Sequence, residues 1–404
     1  MKTGLDCLLD DDRRLARLRG VRVALLANPA SMTGKEHGFR HGLDALHDRI
    51  GGALTAAFGP QHGMRGDKQY NMEESPTYRD ATHGIPVFSL YGDTRRPTAD
   101  MLSQFDLLLC DLQDVGWRGY TWVATLLYML EACAAAGKTV WVLDRPNPAG
   151  RTIEGRKLEP GQESFVGVIP VPQRHGLTLG ELAKYMTALF RLPVDLDVIA
   201  MDGYLPDLAP GFGWPEGQIW VNPSPAIANL NCVRCYTGTV LLEGTHLSEG
   251  RGTTTPLEVF GAPDLPVAAL VAHMQTTAPE FCKGCYLRPT YFEPFFNKHM
   301  GQMCAGVQIH ASFPGYDPRT FRPYRLISAM LKSLRTVRPD FELWHDFYYE
   351  YEPRHRRPID VINGGPSLRE WVDDPHAGCA DWDNALRVDE REWEEERRAF
   401  LLYP

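Results

Sequence analysis

The segment 241-LLEGTHLSEGRGTTTP-256 gathers two glutamates, a histidine, an arginine and a run of threonine hydroxyls into one short stretch. Carboxyl groups can hold and hand over a proton, and a guanidinium holds an anion by paired hydrogen bonds. Leu241 and Leu242 anchor the start of the segment in a core. The glycines beyond them break it into turns. Loops of this kind present polar groups to a ligand from a rigid scaffold. The plainer alternative is a solvated turn carrying incidental charge.

Elements that could position such a loop are readable upstream. The runs 21-VRVALLA-27, 54-LTAAF-58, 86-PVFSLY-91, 105-FDLLLC-110 and 139-TVWVLD-144 are strand-sized and apolar on both faces, as central parallel strands must be. The stretch 120-YTWVATLLYMLEACAAAG-137 has a helical pattern ending at a glycine. This βαβ rhythm predicts an α/β fold with an open parallel sheet and helices on both sides. Ligands of such sheets bind beyond the carboxyl ends of the strands. The turns that leave those ends are 59-GPQHGMRG-66, 91-YGDTRRP-97, 111-DLQDVGWRGYT-121 and 144-DRPNPAG-150. No G-x-G-x-x-G comes after the first strand, which disfavours a nicotinamide oxidoreductase.

Downstream, Thr178 and Glu181 fit a capping box opening a helix at 178–190, so Glu181 is assigned to structure. A strand is expected near 196–201, then an irregular Pro/Gly/Trp-rich crossing over 203–225. The second half holds a strand at 306–311, a helix within 322–337 and a charged helix over 388–402, where Glu394 and Arg398 stand one turn apart. A chain of 404 residues is longer than one core usually serves. We divide it into an N-terminal Rossmann-like domain, 1–230, and a smaller C-terminal α/β domain, 231–404.

Net charge is -9, with no basic block, which argues against a nucleic-acid partner. No apolar run reaches membrane-spanning length. The arginine-rich start is interrupted by aspartates and reads as the approach to a first strand, not as a secretion signal, so a cytoplasmic location is expected. Nine cysteines, an odd number, favour free thiols. The pairs Cys232/Cys235 and Cys282/Cys285 could together hold a structural zinc, but their wide separation points to unligated thiols, and no metal or other cofactor is expected.

The strings GPQHGMRG, GIPVFSLYG, FDLLLCDLQDVGWRGYT, VLDRPNPAG, RHGLTLGELA, NPSPAI and LLEGTHLSEGRGTTTP resemble, in order, those of the NamZ-type exo-β-N-acetylmuramidases. Weaker similarity runs through 289–310, so the resemblance covers nearly the whole chain. It implies a Rossmann-like domain that binds no dinucleotide, a second α/β domain, and a cleft between them. It also implies hydrolytic release of β-linked N-acetylmuramic acid from the non-reducing end of peptidoglycan fragments. One departure stands out. Members of that family often carry Glu where this chain has Gln61, and an amide cannot trade a proton as a carboxylic acid does. The alternative is therefore a non-catalytic protein that binds cell-wall sugar or an anion and lost its acid at Gln61.

Glycoside cleavage needs two carboxyl groups across the scissile bond, one of them protonated. Glu249 is the first candidate, with an ion pair to Arg251 as its other role. Glu243 comes after an apolar run, where burial raises a carboxyl pKa. Asp114 lies just past the fourth strand. Asp111 could cap the segment beyond its strand end, and Asp144 could pair with Arg145. Glu74 lies in a polar loop, 67–76, that could fold over the cleft or stay solvated. Arg65, Arg251 and Arg118 are candidates for the lactyl carboxylate of muramic acid. His62 could donate to a sugar hydroxyl, shuttle a proton or tie its own turn. Gln61 could orient a water or the acetamido group, and Trp117, Tyr120 and Tyr91 could pack on sugar faces. The partner expected is a small carbohydrate, with neither nucleic acid nor membrane.

Overall fold

The computed structural model describes residues 1–350, 352 and 354–404. A seven-stranded sheet is built from β1 (Val23–Ala27), β2 (Leu54–Gly59), β3 (Tyr78–Arg79), β4 (Pro86–Ser89), β5 (Leu107–Asp111), β6 (Thr139–Leu143) and, after an antiparallel ribbon of β7 (Glu154–Lys157) and β8 (Pro172–Arg174), β9 (Asp195–Ile199). The strand order is β3-β4-β2-β1-β5-β6-β9, parallel throughout except for the short edge strand β3. The β1/β5 register pairs Leu25 with Leu109.

The sheet is buried on both faces, which is why its strands carry uninterrupted apolar runs. Alternation splits β1 between two cores. Ala24 and Leu26 face one, while Val23, Leu25 and Ala27 face the other. Helices Gly4–Leu9, Asp12–Arg19 and Gly42–Ile50 cover the second face. Helices Trp122–Ala135 and Leu179–Leu189 cover the first. The capping box is present: the Glu181 carboxylate accepts from Thr178 N–H at 2.9 Å, and the Thr178 hydroxyl accepts from Glu181 N–H at 3.3 Å.

The smaller C-terminal region carries β10 (Val259–Ala262), β11 (Tyr286–Phe292) and β12 (Cys304–His310) as an antiparallel sheet in the order β10-β12-β11. Helices Leu230–Thr239, Val267–Thr277 and Pro323–Val337 accompany it. Its apolar side chains run without a break into the core under the first sheet, with Leu126, Val233 and Ile359 in one cluster. Polar ties run along the same seam. Glu154 on β7 accepts from Arg325 N–H at 2.9 Å, capping the helix that begins at Pro323. The last helix, Cys379–Arg397, returns to the N-terminal half, where Trp393 Nε1 donates to the His175 carbonyl at 2.8 Å.

Two sequence-based pairings differ from those formed. Arg145 turns away from Asp144 and donates to both oxygens of Asp111, at 2.5 and 2.9 Å. Asp144 instead accepts from Thr178 Oγ1 and Tyr403 OH, both at 2.7 Å. At the end of the last helix Arg398 pairs with Glu395, and Glu394 with Arg397, each three positions apart. The cysteines of the two C-x-x-C pairs are free, and among the described residues no group of three or more His, Cys, Asp or Glu side chains could hold a metal ion. Among those residues, too, no helix is long and apolar enough to cross a membrane.

Candidate active site

The carboxyl edge of the sheet faces the second half of the chain, and a cavity lies between them. After β2 the chain turns tightly through 60-PQHG-63, with Gly63 N–H bonded to the Pro60 carbonyl at 2.8 Å and His62 at φ +68°. That turn aims Gln61 and His62 into the cavity. The turn after β5 supplies Trp117 and Tyr120, and Thr121 opens the helix behind them. From the other side come Tyr236, Glu243 and Arg251, and then the consecutive pair Tyr349 and Glu350. Glu350 also sits in the left-handed region, at φ +46°. Two side-chain-bearing site residues therefore hold backbone conformations that only surrounding contacts can maintain.

Glu350 is the focus of the cavity. Tyr91 OH donates to its Oε2 at 2.8 Å and Gln61 Nε2 to its Oε1 at 3.2 Å. The Gln61 amide is oriented by Thr121, whose hydroxyl donates to Gln61 Oε1 at 2.7 Å. Burial pushes the Glu350 carboxyl up to about 7, and the nearby Glu243 adds to the rise, while the two donors oppose it. Glu243 has a different setting. It accepts from Arg251 Nη2 at 2.6 Å, Asn71 Nδ2 at 3.1 Å and Tyr349 OH at 2.9 Å. One cavity thus holds two glutamates in different settings, Glu350 poised to keep a proton near neutrality and Glu243 tied to a guanidinium, an amide and a phenol, the two-carboxyl arrangement that acid–base cleavage needs.

His62 Nδ1 lies 2.6 Å from the Lys68 carbonyl, which can only accept. The proton is therefore on Nδ1, and Nε2 carries a lone pair. Burial, with Arg251 nearby, holds the imidazole neutral by lowering its pKa to about 4. Trp117 Nε1 donates to Gln173 Oε1 at 2.6 Å, and Tyr120 OH donates to Ser224 Oγ at 2.9 Å. Their polar ends are thus engaged, leaving ring surface for the cavity wall. The loop 67–76 reaches the C-terminal half beside the cavity. Asn71 reaches Glu243, and the Tyr70 ring lies 5.1 Å from that of Phe296.

Of the residues singled out from sequence, Gln61, His62, Trp117, Tyr120, Glu243 and Arg251 line this cavity together. The others lie elsewhere. Glu249 stands behind Arg251, buried between its Nε at 3.3 Å and Lys298 Nζ at 2.7 Å. Burial alone would raise its pKa, but Lys298 and Arg251 outweigh that and lower it. Asp114 is buried away from the cavity, accepting from Gly116 N–H at 2.7 Å and facing His175 Nε2 at 3.9 Å. Arg118 is buried too, and its guanidinium donates to the carbonyls of Arg156, Val171 and Asn363. Arg65 is mostly exposed, over the Tyr78 ring and 3.5 Å from Asp80. Glu74 is half-exposed, 3.7 Å from Arg95.

Sequence reasoning missed Glu350. Its signal was a glutamate bracketed by tyrosines in 349-YEYEP-353, within a polar stretch that otherwise reads as surface. Asn71 and Lys298 were missed as well, because neither type is informative without a partner in view.

A Rossmann-like sheet whose carboxyl edge closes over a buried acid and a paired carboxylate defines an α/β protein equipped for hydrolysis by proton transfer. Comparison with known proteins makes this specific. Residues 23–231 match the N-terminal part, and residues 234–403 the C-terminal part, of exo-beta-N-acetylmuramidase NamZ, and the chain belongs to that family. It is 39% identical, over 345 residues, to the peptidoglycan beta-N-acetylmuramidase NamZ of Bacillus subtilis (strain 168), covering 85% of this chain and 79% of that protein. A solved protein of the DUF1343 family from Bacteroides fragilis NCTC 9343 superposes with a TM-score of 0.83 at 28% identity, covering 100% of this chain and 99% of the other. A second from the same organism gives 0.73 at 24% identity, with 100% and 98% covered, a likeness of fold.

Proposed function

We propose that this protein is a glycoside hydrolase releasing β-linked N-acetylmuramic acid from the non-reducing end of peptidoglycan fragments, with Glu350 as proton donor and Glu243 as the facing carboxylate. The observation that carries the residue assignment is the opposite setting of these two glutamates in one cavity. Family membership supports the substrate.

In this reading the Glu350 carboxyl gives its proton to the glycosidic oxygen. The C1–O bond breaks, its electron pair stays on that oxygen, and the remaining saccharide departs as an alcohol. Water adds its oxygen to C1, and the proton it releases goes to a carboxylate. The neutral His62 accepts a hydrogen bond from the sugar or from water through Nε2. The free space in the cavity is about 40 Å³, too little for a sugar ring. The sugar therefore enters when loop 67–76 lifts, and the loop closes over it.

Gln61 fits this assignment as the amide that holds Glu350, so the absence of a carboxyl at position 61 does not remove the acid from the site. The non-catalytic alternative is accordingly not favoured. We place the enzyme in the cytoplasm, in the recovery of cell-wall sugar. Nine free cysteines support a reducing compartment, and cell fractionation tests it.

A chromogenic β-N-acetylmuraminide tests the central claim. Turnover by the purified protein, lowered by about a hundredfold or more in Glu350→Gln and in Glu243→Gln, is the expected result. Binding without turnover would return the protein to the non-catalytic reading. Full activity in Glu350→Gln would remove Glu350 from its role.

A further inference from the structure

Glu350 borders two hollows. One is the central cavity. The other is a groove of about 800 Å³ between the turn after β4, the helix Trp122–Ala135 and the segment 163–168. Glu350 is the one residue that lines both, among the described residues. A proton donor to a glycosidic oxygen must stand between the sugar being released and the sugar leaving. We propose that the groove is the leaving-group subsite and that it takes a neutral hexosamine saccharide, the remainder of the glycan strand. The inference rests on the assignment of Glu350 as the acid.

The lining fits that ligand. An aromatic shelf leads outward from the carboxyl. Tyr91, bonded to Glu350, has its ring centroid 5.9 Å from Phe165 with 32° between the planes. Phe165 lies 6.1 Å from Tyr128, at 31°. Phe165 and Tyr128 are half-buried in the groove wall and offer apolar surface for the C–H face of a sugar, while Tyr91, fully buried behind Phe165, links that wall to the carboxyl. Two pairs of the rim charges are already matched, Arg96 with Glu131 at 2.5 Å and Arg354 with Glu352 at 2.9 Å. Paired in this way they present hydrogen-bonding groups to hydroxyls and make no demand for a charged ligand.

A third hollow, of about 540 Å³, beside Thr254 and Phe295, is the competing exit. Among the described residues it meets the central cavity only at Ala226 and Arg251. A saccharide leaving through it would have its bridging oxygen on the guanidinium side, away from the proton donor.

The test compares two substrates. β-N-acetylmuramyl fluoride has a leaving group too small to reach either hollow. The disaccharide in which N-acetylmuramic acid is β-1,4-linked to N-acetylglucosamine reaches the subsite. The ratio of kcat/KM for the disaccharide to that for the fluoride is expected to fall about tenfold in Tyr128→Ala and in Phe165→Ala, the worth of one good aromatic contact. It should stay at the wild-type value in Phe295→Ala, whose ring is 85% exposed in the competing hollow. A general loss of structure lowers both rates and leaves the ratio in place. An unchanged ratio in both groove variants, or a fall in Phe295→Ala instead, overturns the subsite while leaving the hydrolase reading intact. A wild-type protein inert towards both substrates overturns the hydrolase reading, and the subsite with it.

Discussion

Gln61 Nε2 donates to Glu350 Oε1 at 3.2 Å, joining the turn after β2 to a segment 289 positions further along the chain. The amide donates to the carboxyl, and that favours ionisation. Burial prevails, so the carboxyl stays near 7. The acid must be protonated to act, so kcat/KM should decline as pH rises through that value. In Gln61→Glu a second carboxyl would stand within hydrogen-bonding distance of the first. Two such groups hold a shared proton to higher pH. The basic limb of the pH–rate profile should move up by about one unit or more. A limb that stays in place would show that Glu350 is not the group the profile reports.

Glu249 and Lys298 are 2.7 Å apart behind the cavity, with Arg251 between them and Glu243. These four charges balance, and each is buried or nearly so. Glu249→Gln leaves Lys298 and Arg251 one carboxylate short, which costs about 3–5 kcal/mol when a buried pair is broken. The variant should lose stability by that amount in urea unfolding. Its kcat per folded molecule should fall far less than that of Glu350→Gln. An equal collapse of kcat in the two variants would put Glu249 back among the reacting groups.

The sheet was legible because a strand buried on both faces has no choice but to be apolar, as in 23-VALLA-27. The capping box at Thr178 and Glu181 was legible because its partners lie three residues apart. The turns that supply Gln61, His62, Trp117 and Tyr120 were expected from the rule that parallel sheets bind ligands at their carboxyl edge. Choice among partners was not legible. Arg145 has Asp144 as its neighbour in sequence yet bonds Asp111, 34 positions away, because β5 and β6 run side by side. Glu249 and Glu243 look alike in the sequence. Lys298, distant in the chain, draws one away from the cavity and leaves the other facing it. Glu350 sits in a segment without periodicity, and only the folded chain surrounds it with Tyr91 and Gln61. The small antiparallel sheet was anticipated in one strand of three, since β11 is largely exposed and lacks an apolar run.

Asp114 gives a pH-dependent test of the fold. Its carboxyl is buried with N–H donors from Gly116 and Val115, and burial pushes it up to about 7. That lies above the ordinary value of 3.8, so the native state holds an extra proton between about 4 and 7. Stability falls as pH rises through that window and is flat on either side. Asp114→Asn has no proton to lose. Its stability relative to the parent should grow by on the order of a few kcal/mol between pH 4.5 and pH 8 in urea unfolding. A difference independent of pH would mean that Asp114 is ionised at little cost.

Among the described residues, Asn71 makes one of three ties between loop 67–76 and the cavity: its Nδ2 donates to Glu243 Oε1 at 3.1 Å, Met72 Sδ accepts from Glu350 N–H at 3.1 Å, and the Lys68 carbonyl accepts from His62 Nδ1 at 2.6 Å. Glu243 keeps Arg251 and Tyr349 without Asn71, so Asn71→Ala weakens the latch and leaves the Glu243 side chain in place. The cavity, at about 40 Å³, is too small for a sugar, so in the proposed reaction the sugar displaces the loop and the loop returns for catalysis. Loss of this tie makes entry easier and closure weaker. The expected result is a fall in kcat of about tenfold, one hydrogen bond to a charged group, with little change in thermal midpoint. Limited proteolysis within 67–76 should quicken in the variant and slow again when N-acetylmuramic acid is added. Cleavage unaffected by the sugar would show that the loop does not close over it.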